Sequence, residues 1–210
     1  MTTLIGIQGE GFSVMCVDSR ISDVNDSGWA TQIATLRESS SKVATNGRYL
    51  LGAAGDLRAI NILHHVFNPP VAPPNLKGKK LDQFITAKFI PALRECFDTQ
   101  GYSTPQTEES EHLAEHGSSI MMSVNGSIYI IDGDYSWISD ANGVYAVGTG
   151  AQYALGALHC LIPKTKLTMN AAKRIALNAL AVAAKYDPYT GAPYHSFTQG
   201  HEKITKQNSK

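Results

Sequence analysis

The chain of 210 residues has no excess of charge of either sign. Its 18 lysines and arginines balance 18 aspartates and glutamates, so the formal net charge is zero. A protein that binds nucleic acid or an anionic membrane through bulk charge needs a basic excess. The composition therefore argues against nucleic acid and against a membrane surface as partners.

Long apolar runs and cysteines are also scarce. No run approaches the roughly 20 residues of a membrane span, and residues 1–17 show neither the basic start nor the cleavage site of a signal peptide. Cys16, Cys96 and Cys160 are odd in number and lie in apolar segments, which favours buried free thiols in a reducing compartment. We therefore expect a cytoplasmic protein.

What the sequence does contain is enough apolar material for one substantial core. The hydrophobic content is 43%, and the length and the absence of a linker suggest one domain over 1–210. Short apolar runs separated by turn residues predict hairpins over 2–17, over 42–55 and across Asn125-Gly126. The polar stretch 18–41 shows neither a helical nor a strand period, and the last ten residues look frayed.

Helical periodicity appears in two pairs of segments. Asp56 is a plausible N-cap for a helix over about 57–67, and a second helix over 81–97 should kink at Pro91. Helices over 151–161 and 169–186 follow, the latter capped by Thr168. The polar stretch 99–117 reads as a loop. A further strand is expected in "DANGVYAVGTG", and turns with a last strand are expected in "KYDPYTGAPYHSFTQG". This order predicts an α+β fold, a four-layer αββα sandwich with the two sheets inside.

The start of the chain, Met1-Thr2-Thr3, permits a specific chemistry. Removal of Met1 would give Thr2 a free α-amine with a pKa of about 7.7 to 8 beside its own hydroxyl. Such an amine can act as the base for that hydroxyl, as in enzymes with an N-terminal threonine nucleophile. Many proteins begin Met-Thr, so these residues by themselves favour only the start of a strand.

The interpretation of Thr2 as a nucleophile depends on further motifs downstream in the chain. "TTLIGI" is followed by "CVDSR", "SSSKVATNG", "LGAAGD", "VGTGAQYALGAL" and "YDPYTG". In this order they resemble the motifs of proteasome β-type subunits and of their relative in the simpler bacterial ATP-dependent protease, members of the N-terminal nucleophile hydrolase group. The resemblance covers almost the whole chain and implies the same sandwich fold.

The resemblance also implies roles for individual residues. Thr2 would be the nucleophile, Lys42 would lower the pKa of its neighbours, Asp18 would hold Lys42, and the Gly52 N–H would bind the oxyanion. Residues implied to position the Thr2 amine are Thr149, Asp187 and Thr190, although the family has serine where threonines 149 and 190 stand. Residues implied to bind substrate, through an apolar pocket and a main-chain contact, are Ile21, Ser22, Ala44, Leu50 and Ala54.

A threonine-type endopeptidase in a homo-oligomeric ring follows from this resemblance. It would cleave peptides or unfolded proteins without metal or cofactor, with an ATP-dependent unfoldase as a candidate partner. The longer loop between Arg20 and Lys42 leaves ring size and specificity open. Two alternatives also remain: a catalytically silent ring or scaffold subunit that retains Met1, and a small-amide hydrolase of the same group.

Two other motifs compete with this interpretation. "HLAEH", His112 to His116, matches a zinc-peptidase pattern, but it lies in a polar loop without a long amphipathic helix. "GTGAQY" fails the dinucleotide fingerprint because Tyr153 stands where the third glycine is needed. Neither motif outweighs the threonine-peptidase interpretation.

Overall fold

Two five-stranded antiparallel sheets form the centre of the protein. The computed structural model describes residues 2–24, 29–103, 116–163 and 165–200, together with the backbone of 204–209. The first sheet has the order β10 (Val144–Gly148), β1 (Thr3–Gly9), β2 (Phe12–Asp18), β11 (Tyr194–Gly200) and β12 (Ile204–Ser209). The second has the order β5 (Val43–Asn46), β6 (Tyr49–Ala54), β7 (Ser119–Val124), β8 (Ser127–Ile131) and β9 (Trp137–Ile138).

Within the described ranges a further hairpin belongs to neither sheet. Its strands, β3 (Arg20–Val24) and β4 (Ala30–Thr35), pair antiparallel with each other. They occupy the polar stretch 18–41, for which the sequence predicted no strand. Most of β4 is exposed on both faces, and the alternation that marks a half-buried strand is therefore missing.

The helices occupy the segments that the periodicity predicted. They are α1 (Leu57–His65), α2 (Lys79–Phe84), α3 (Ile90–Thr99), α4 (Ala151–Leu161) and α5 (Met169–Tyr186). Both predicted caps are confirmed, since Asp56 accepts a hydrogen bond from the Arg58 N–H and Thr168 accepts one from the Ala171 N–H. None of the described helices has the length and apolar character that a membrane crossing requires.

A π-helical segment, Ile85–Phe89, lies between α2 and α3, where the sequence predicted a kink. Pro91 stands in the first turn of α3, directly after this segment. Because the helical backbone continues through Phe89 into α3, the proline lacks the N–H that would bond back to the preceding turn. The wider π turn accommodates the change of helical hydrogen-bonding that the proline imposes.

The turn between β7 and β8 is the one that the sequence marked most clearly. Asn125 has φ of 52° and Gly126 has φ of 80°. Positive φ at both central residues defines a type I′ turn, whose twist matches the flanking strands. The predicted hairpin is confirmed.

Three groups of buried apolar side chains hold these elements together. One joins the second sheet to α1, α2 and α3, and includes Leu51, Leu63 and Phe89. A second joins the first sheet to α4 and α5, and a third, which includes Leu4 and Leu50, joins residues of the two sheets. The face of each strand is therefore fixed by the layer against which it packs.

Two expectations about the rest of the chain were wrong. The end of the chain is a strand, β12, which pairs with β11 rather than fraying. The three cysteines are free, as expected, but only Cys16 is buried, while Cys96 is half-buried and Cys160 is exposed. Most of the predicted loop 99–117 lies outside the described residues.

Candidate active site

A buried ion pair lies at the centre of the site. Lys42 Nζ donates to Asp18 Oδ1 at 2.8 Å and to the Arg20 carbonyl at 2.7 Å. The Lys42 and Asp18 side chains are 2% and 0% exposed. Lys42 immediately precedes β5 and Asp18 ends β2, so the pair joins the two sheets. A cation that is this deeply buried requires a charged partner.

The Asp18 carboxylate is saturated with donors. Besides Lys42, it accepts main-chain N–H groups from Thr3 at 3.0 Å, Arg20 at 3.0 Å and Gly191 at 3.3 Å. Burial raises the pKa of Asp18, while Lys42 and the main-chain donors oppose that rise. Burial likewise lowers the pKa of Lys42, opposed mainly by Asp18. The site thus holds an amine that gives up its proton more readily than a solvated lysine does.

The peptide unit between Thr2 and Thr3 is fixed on both sides. Its N–H, that of Thr3, donates to Asp18, and its carbonyl, that of Thr2, accepts from the Thr149 N–H at 3.0 Å. Gly148, with φ of 97°, allows this approach, because a Cβ there would overlap the Thr2 carbonyl. Thr2 itself is 5% exposed.

A second polar cluster surrounds Asp187, just beyond α5. The Thr149 hydroxyl donates to Asp187 Oδ2 at 2.7 Å, and the Thr190 hydroxyl donates to the same oxygen at 2.5 Å. Thr190 Oγ1 also lies 2.5 Å from Thr3 Oγ1, which accepts from the Gly150 N–H at 3.0 Å. The sequence-predicted residues 149, 187 and 190 are therefore brought together beside the start of β1.

A cavity of about 140 Å³ opens beside Thr2 and Lys42. Its walls combine side chains from β3, β6 and α1 with the two charged residues Lys42 and Asp56. The lining residues are Thr2, Ile21, Ser22, Lys42, Ala53, Gly55, Asp56, Leu57 and Ile60. Ile21 and Ser22, predicted to contact substrate, are among them.

The structure does not place the other predicted pocket residues in this cavity. Leu50 packs between the two sheets, whereas Ala44 packs toward α1 to α3. Ala54 follows Ala53 on the opposite face of β6 and lies beside Gly148. A shift of one residue along a strand moves a side chain to the other face. The residues that line the cavity from β6 and its end are accordingly Ala53 and Gly55.

The same shift affects the predicted oxyanion donor, Gly52. Ala53 lies opposite Lys42, and its N–H points to the Lys42 carbonyl at 3.4 Å. Successive N–H groups of a strand point to opposite edges, so the Gly52 N–H points into the sheet, toward β7. A Cβ at Gly52 would meet Leu4, Met15 and Val43. Packing between the sheets therefore leaves no room for a larger side chain at Gly52, and Ala53 is the residue that lines the cavity.

Sequence reasoning missed two residues here, Thr3 and Ala53. Thr3 contacts both polar clusters, although nothing in its local sequence sets it apart from Thr2. The segment "YLLGAAG" is apolar on both faces, so it carries no alternation from which the cavity face could be identified. Met1, on whose removal the predicted chemistry depends, lies outside the described residues.

The zinc-peptidase pattern falls mostly outside the described residues as well, since His112 is among those not described. His116, its last residue, is buried in a group of aromatic rings. Within the ranges that the structure describes, no three His, Cys, Asp or Glu side chains are grouped in a way that could hold a metal ion.

Comparison by sequence gives no relatives: the chain matches no protein-family model and no curated protein. Comparison by structure finds proteins of similar fold. Thiobacillus denitrificans BPH superposes with a TM-score of 0.70 at 18% identity, over 95% of this chain and 98% of that one. The same protein in complex with epoxomicin gives 0.70 at 17% identity, over 96% and 100%.

A eukaryotic HslV from Trypanosoma brucei is similar too, with a TM-score of 0.59 at 18% identity, over 95% of this chain and 99% of that one. These matches extend over nearly the full length on both sides. At this level of identity they establish the fold and leave the activity open. The chain therefore has the proteasome β-type fold that its ordered motifs predicted.

Proposed function

We propose that this chain is a threonine-type endopeptidase in which Thr2, exposed by removal of Met1, forms an acyl ester with the substrate. The observation that carries the proposal is the buried pair of Lys42 and Asp18, joined at 2.8 Å, with Lys42 lining the same cavity as Thr2. Removing two charges from water costs free energy, and their mutual attraction offsets that cost only when the pairing geometry is very good. If the contact served only to hold the two sheets together, apolar side chains could make it without this cost.

In the proposed reaction the Thr2 hydroxyl oxygen attacks the carbonyl carbon of the scissile bond, and the Thr2 α-amine takes the hydroxyl proton. The C–N bond then breaks, and the departing nitrogen receives that proton from the amine. Water then attacks the ester carbonyl carbon and gives a proton to the amine. The bond between the acyl carbon and the Thr2 oxygen breaks, that oxygen takes the proton back from the amine, and the peptide leaves with a new carboxyl terminus. Lys42 stabilises the negative charge that develops, and its presence next to the amine favours the neutral, basic form.

We assign the oxyanion donor to the Ala53 N–H rather than to Gly52. Ala53 lines the cavity, and its N–H is engaged only loosely, at 3.4 Å, by the Lys42 carbonyl. Catalytic hydrogen bonds are often long before substrate binds and shorten in the reacting complex. A donor held in a paired strand is also preorganised, which is what stabilisation of an oxyanion requires.

The cavity size supports a preference for one apolar side chain before the cleaved bond. Its volume is about 140 Å³, close to the ~150 Å³ cavity that is known to accept benzene. Ile21, Ala53 and Ile60 supply apolar walls, and Asp56 contributes a carboxylate. We therefore propose leucine or phenylalanine as the favoured residue at this position.

The layer architecture and the oligomeric assembly are also part of the proposal. The three apolar groups, helix to sheet, sheet to sheet and sheet to helix, support a four-layer αββα sandwich over 1–210. The structural similarity to HslV supports a homo-oligomeric ring acting on peptides or unfolded proteins. An ATP-dependent unfoldase as partner, and a cytoplasmic location, remain expectations of the sequence.

The test uses epoxomicin, which is bound in one of the similar structures. The intact mass of the purified chain is measured with and without this compound, for wild type, Thr2→Ala and Thr45→Ala. Thr45 is an exposed threonine on β5 and serves as the matched control. We expect the wild type and Thr45→Ala to lose Met1 and gain one epoxomicin, and Thr2→Ala to gain none.

The other outcomes separate the alternatives. A chain that keeps Met1 and stays unlabelled would favour the catalytically silent scaffold subunit. A processed chain that hydrolyses small amides but neither binds epoxomicin nor cleaves peptides would favour the small-amide hydrolase. Labelling of Thr2→Ala to the wild-type extent would rule out Thr2 as the nucleophile.

A further inference from the structure

Thr3 lies between the two polar clusters of the site and contacts both. Its main-chain N–H donates to Asp18 Oδ1, the same oxygen that accepts from Lys42. Its hydroxyl lies on the opposite side, 2.5 Å from the Thr190 hydroxyl and 3.0 Å from the Gly150 nitrogen. The residue is fully buried, so water does not compete for these bonds.

The direction of each hydrogen bond in this chain can be deduced. Asp187 as a carboxylate only accepts hydrogen bonds. The Thr190 hydroxyl therefore donates its one proton to Asp187 Oδ2. Between Thr3 and Thr190 the donor must therefore be Thr3. The Gly150 N–H donates to Thr3 in turn. The result is a single directed chain from Gly150 through Thr3 and Thr190 to a carboxylate, an arrangement in which each bond strengthens the next.

This chain holds the turn that holds Thr2. The Thr149 N–H fixes the Thr2 carbonyl, and the Thr149 hydroxyl is tied to Asp187. Gly150, the next residue, is tied to Thr3. The turn is thereby attached to the Asp187 cluster at Thr149 and to β1 at Gly150, immediately beside the proposed nucleophile.

We infer that Thr3 is a positioning residue: its hydroxyl orders the 148–150 turn and the Asp187 cluster, so that Thr2 is held in its reactive position. This inference rests on the proposed function of Thr2. It assigns to the second threonine a role of its own, exerted through its hydroxyl and not through contact with substrate. A misplacement of about 1 Å at a reacting centre costs about 10²-fold in rate, so loss of this hydroxyl should be measurable.

The decisive variant is Thr3→Val. Valine keeps the branched shape and the main-chain N–H to Asp18, but it removes the donor to Thr190 and the acceptor for Gly150. We expect kcat for a fluorogenic peptide, and the rate of epoxomicin adduct formation, to fall by about 10²-fold. KM should stay unchanged, because Thr3 is not among the residues that line the cavity. Thr3→Ser, which restores the hydroxyl, should return kcat to near the wild-type value.

Ser13→Ala is the matched control for the loss of a buried hydroxyl. Ser13 Oγ lies 2.5 Å from Ser123 Oγ between the sheets, five residues along β2 from Asp18, or about 17 Å. The Ser13→Ala variant should have a lower melting temperature than the wild type and an unchanged kcat. If Thr3→Val keeps the kcat of Ser13→Ala, the inference is overturned.

A double-mutant cycle tests the chain directly. Because Thr3 and Thr190 belong to one chain, Thr3→Val combined with Thr190→Val should lose little more activity than either variant by itself. Fully additive losses would contradict the inference. Should Thr3→Val fail to fold, Thr190→Val cuts the same chain one bond further on, and normal turnover of that variant would overturn it.

Failure of this inference is distinguishable from failure of the proposed function. A wild-type chain that forms no adduct overturns both. Adduct formation on Thr2 in the wild type, with an unaltered rate in Thr3→Val, overturns only the role of Thr3.

Discussion

In the proposed mechanism, Lys42 is the residue on which the chemistry of the site depends most. Its ammonium is 2% exposed and is paired with a carboxylate that is itself fully buried. Removing one partner leaves an uncompensated charge inside the protein, which typically costs 3 to 5 kcal/mol of stability, about ten times the worth of an exposed pair. Effects on activity and on folding must therefore be separated in any substitution here.

We predict that Lys42→Met lowers peptide turnover by about 10²- to 10⁴-fold, because the site loses its electrostatic stabilisation. Unfolding in denaturant should show a loss of about 3 to 5 kcal/mol. In the double variant Asp18→Asn/Lys42→Met, stability should partly recover while turnover does not. Lys166→Ala, which breaks an exposed ion pair with Glu10, is the control and should change neither. A fully active Lys42→Met would contradict the proposed mechanism.

His116 is another buried titratable residue, and it takes no part in the proposed mechanism. It is 5% exposed and lies against three aromatic rings, those of Phe97, Tyr102 and Tyr135. Burial lowers its pKa, opposed by the carboxylates of Asp132 and Asp134. An apolar setting of this kind holds the imidazole neutral.

This burial predicts how stability depends on pH. The unfolded chain takes up a proton at His116 below about pH 6.5, whereas the folded protein resists until its lowered pKa is reached. The free energy of unfolding should therefore fall as pH drops below about 6.5, and should level off below the folded-state pKa. We predict a shallower fall for His116→Phe, measured by denaturant unfolding between pH 7.5 and 5. An identical slope in both proteins would show that His116 is not the group responsible.

At the scale of the element, the register of β6 decides which side chains line the cavity. Gly52 and Ala53 are neighbours in the chain but face different layers, Gly52 toward Leu4 and Met15 and Ala53 toward the cavity. Substitutions at the two positions should therefore have different consequences, although the two residues are similar in size.

We predict that Ala53→Val narrows the cavity and lowers kcat/KM for a leucine-containing peptide by about tenfold relative to the alanine-containing analogue, since one methylene is worth about 10- to 200-fold in such a pocket. Gly52→Ala should instead cost about 1 to 3 kcal/mol of stability through overpacking against Leu4, with the substrate ratio unchanged. Peptide kinetics and denaturant unfolding of both variants check this. The reverse result would restore Gly52 to the substrate site.

The β3–β4 hairpin is the element that the sequence pattern did not predict. Its first strand gives Ile21 and Ser22 to the cavity, while Val24, Trp29 and Ile33, in the same segment, are 37%, 74% and 64% exposed. A two-stranded hairpin is marginally stable when it stands alone. Exposed apolar groups of this size commonly mark a protein contact, and a second copy of this chain in the proposed ring would cover them.

At the scale of the whole molecule, this leads to a prediction about assembly. Light scattering after size-exclusion chromatography should give a mass that is a multiple of 22.6 kDa. Trp29→Ser/Ile33→Ser should shift the mass to a smaller species, because the apolar contact is lost. Val71→Ser, at a residue that is 87% exposed elsewhere on the surface, should leave the mass unchanged. A monomeric wild type would contradict the ring.

Much of the fold was determined by the sequence through local rules. The caps at Asp56 and Thr168 and the turn at Asn125-Gly126 depend on a few adjacent residues, so periodicity and turn chemistry predicted them. The resemblance of the ordered motifs to those of proteasome β-type subunits implied that Thr2, Asp18 and Lys42 belong to one threonine-peptidase site.

Tertiary structure decided what depends on packing between distant segments. The face of β6 is chosen by the layers on either side of it, so that Ala53 and not Gly52 reaches the cavity, and an unbroken apolar run cannot encode that choice. The role of Thr3 requires Thr190, 187 residues away in sequence, to lie at hydrogen-bond distance. Local sequence specifies elements, whereas the contacts that make a site arise only when the elements pack.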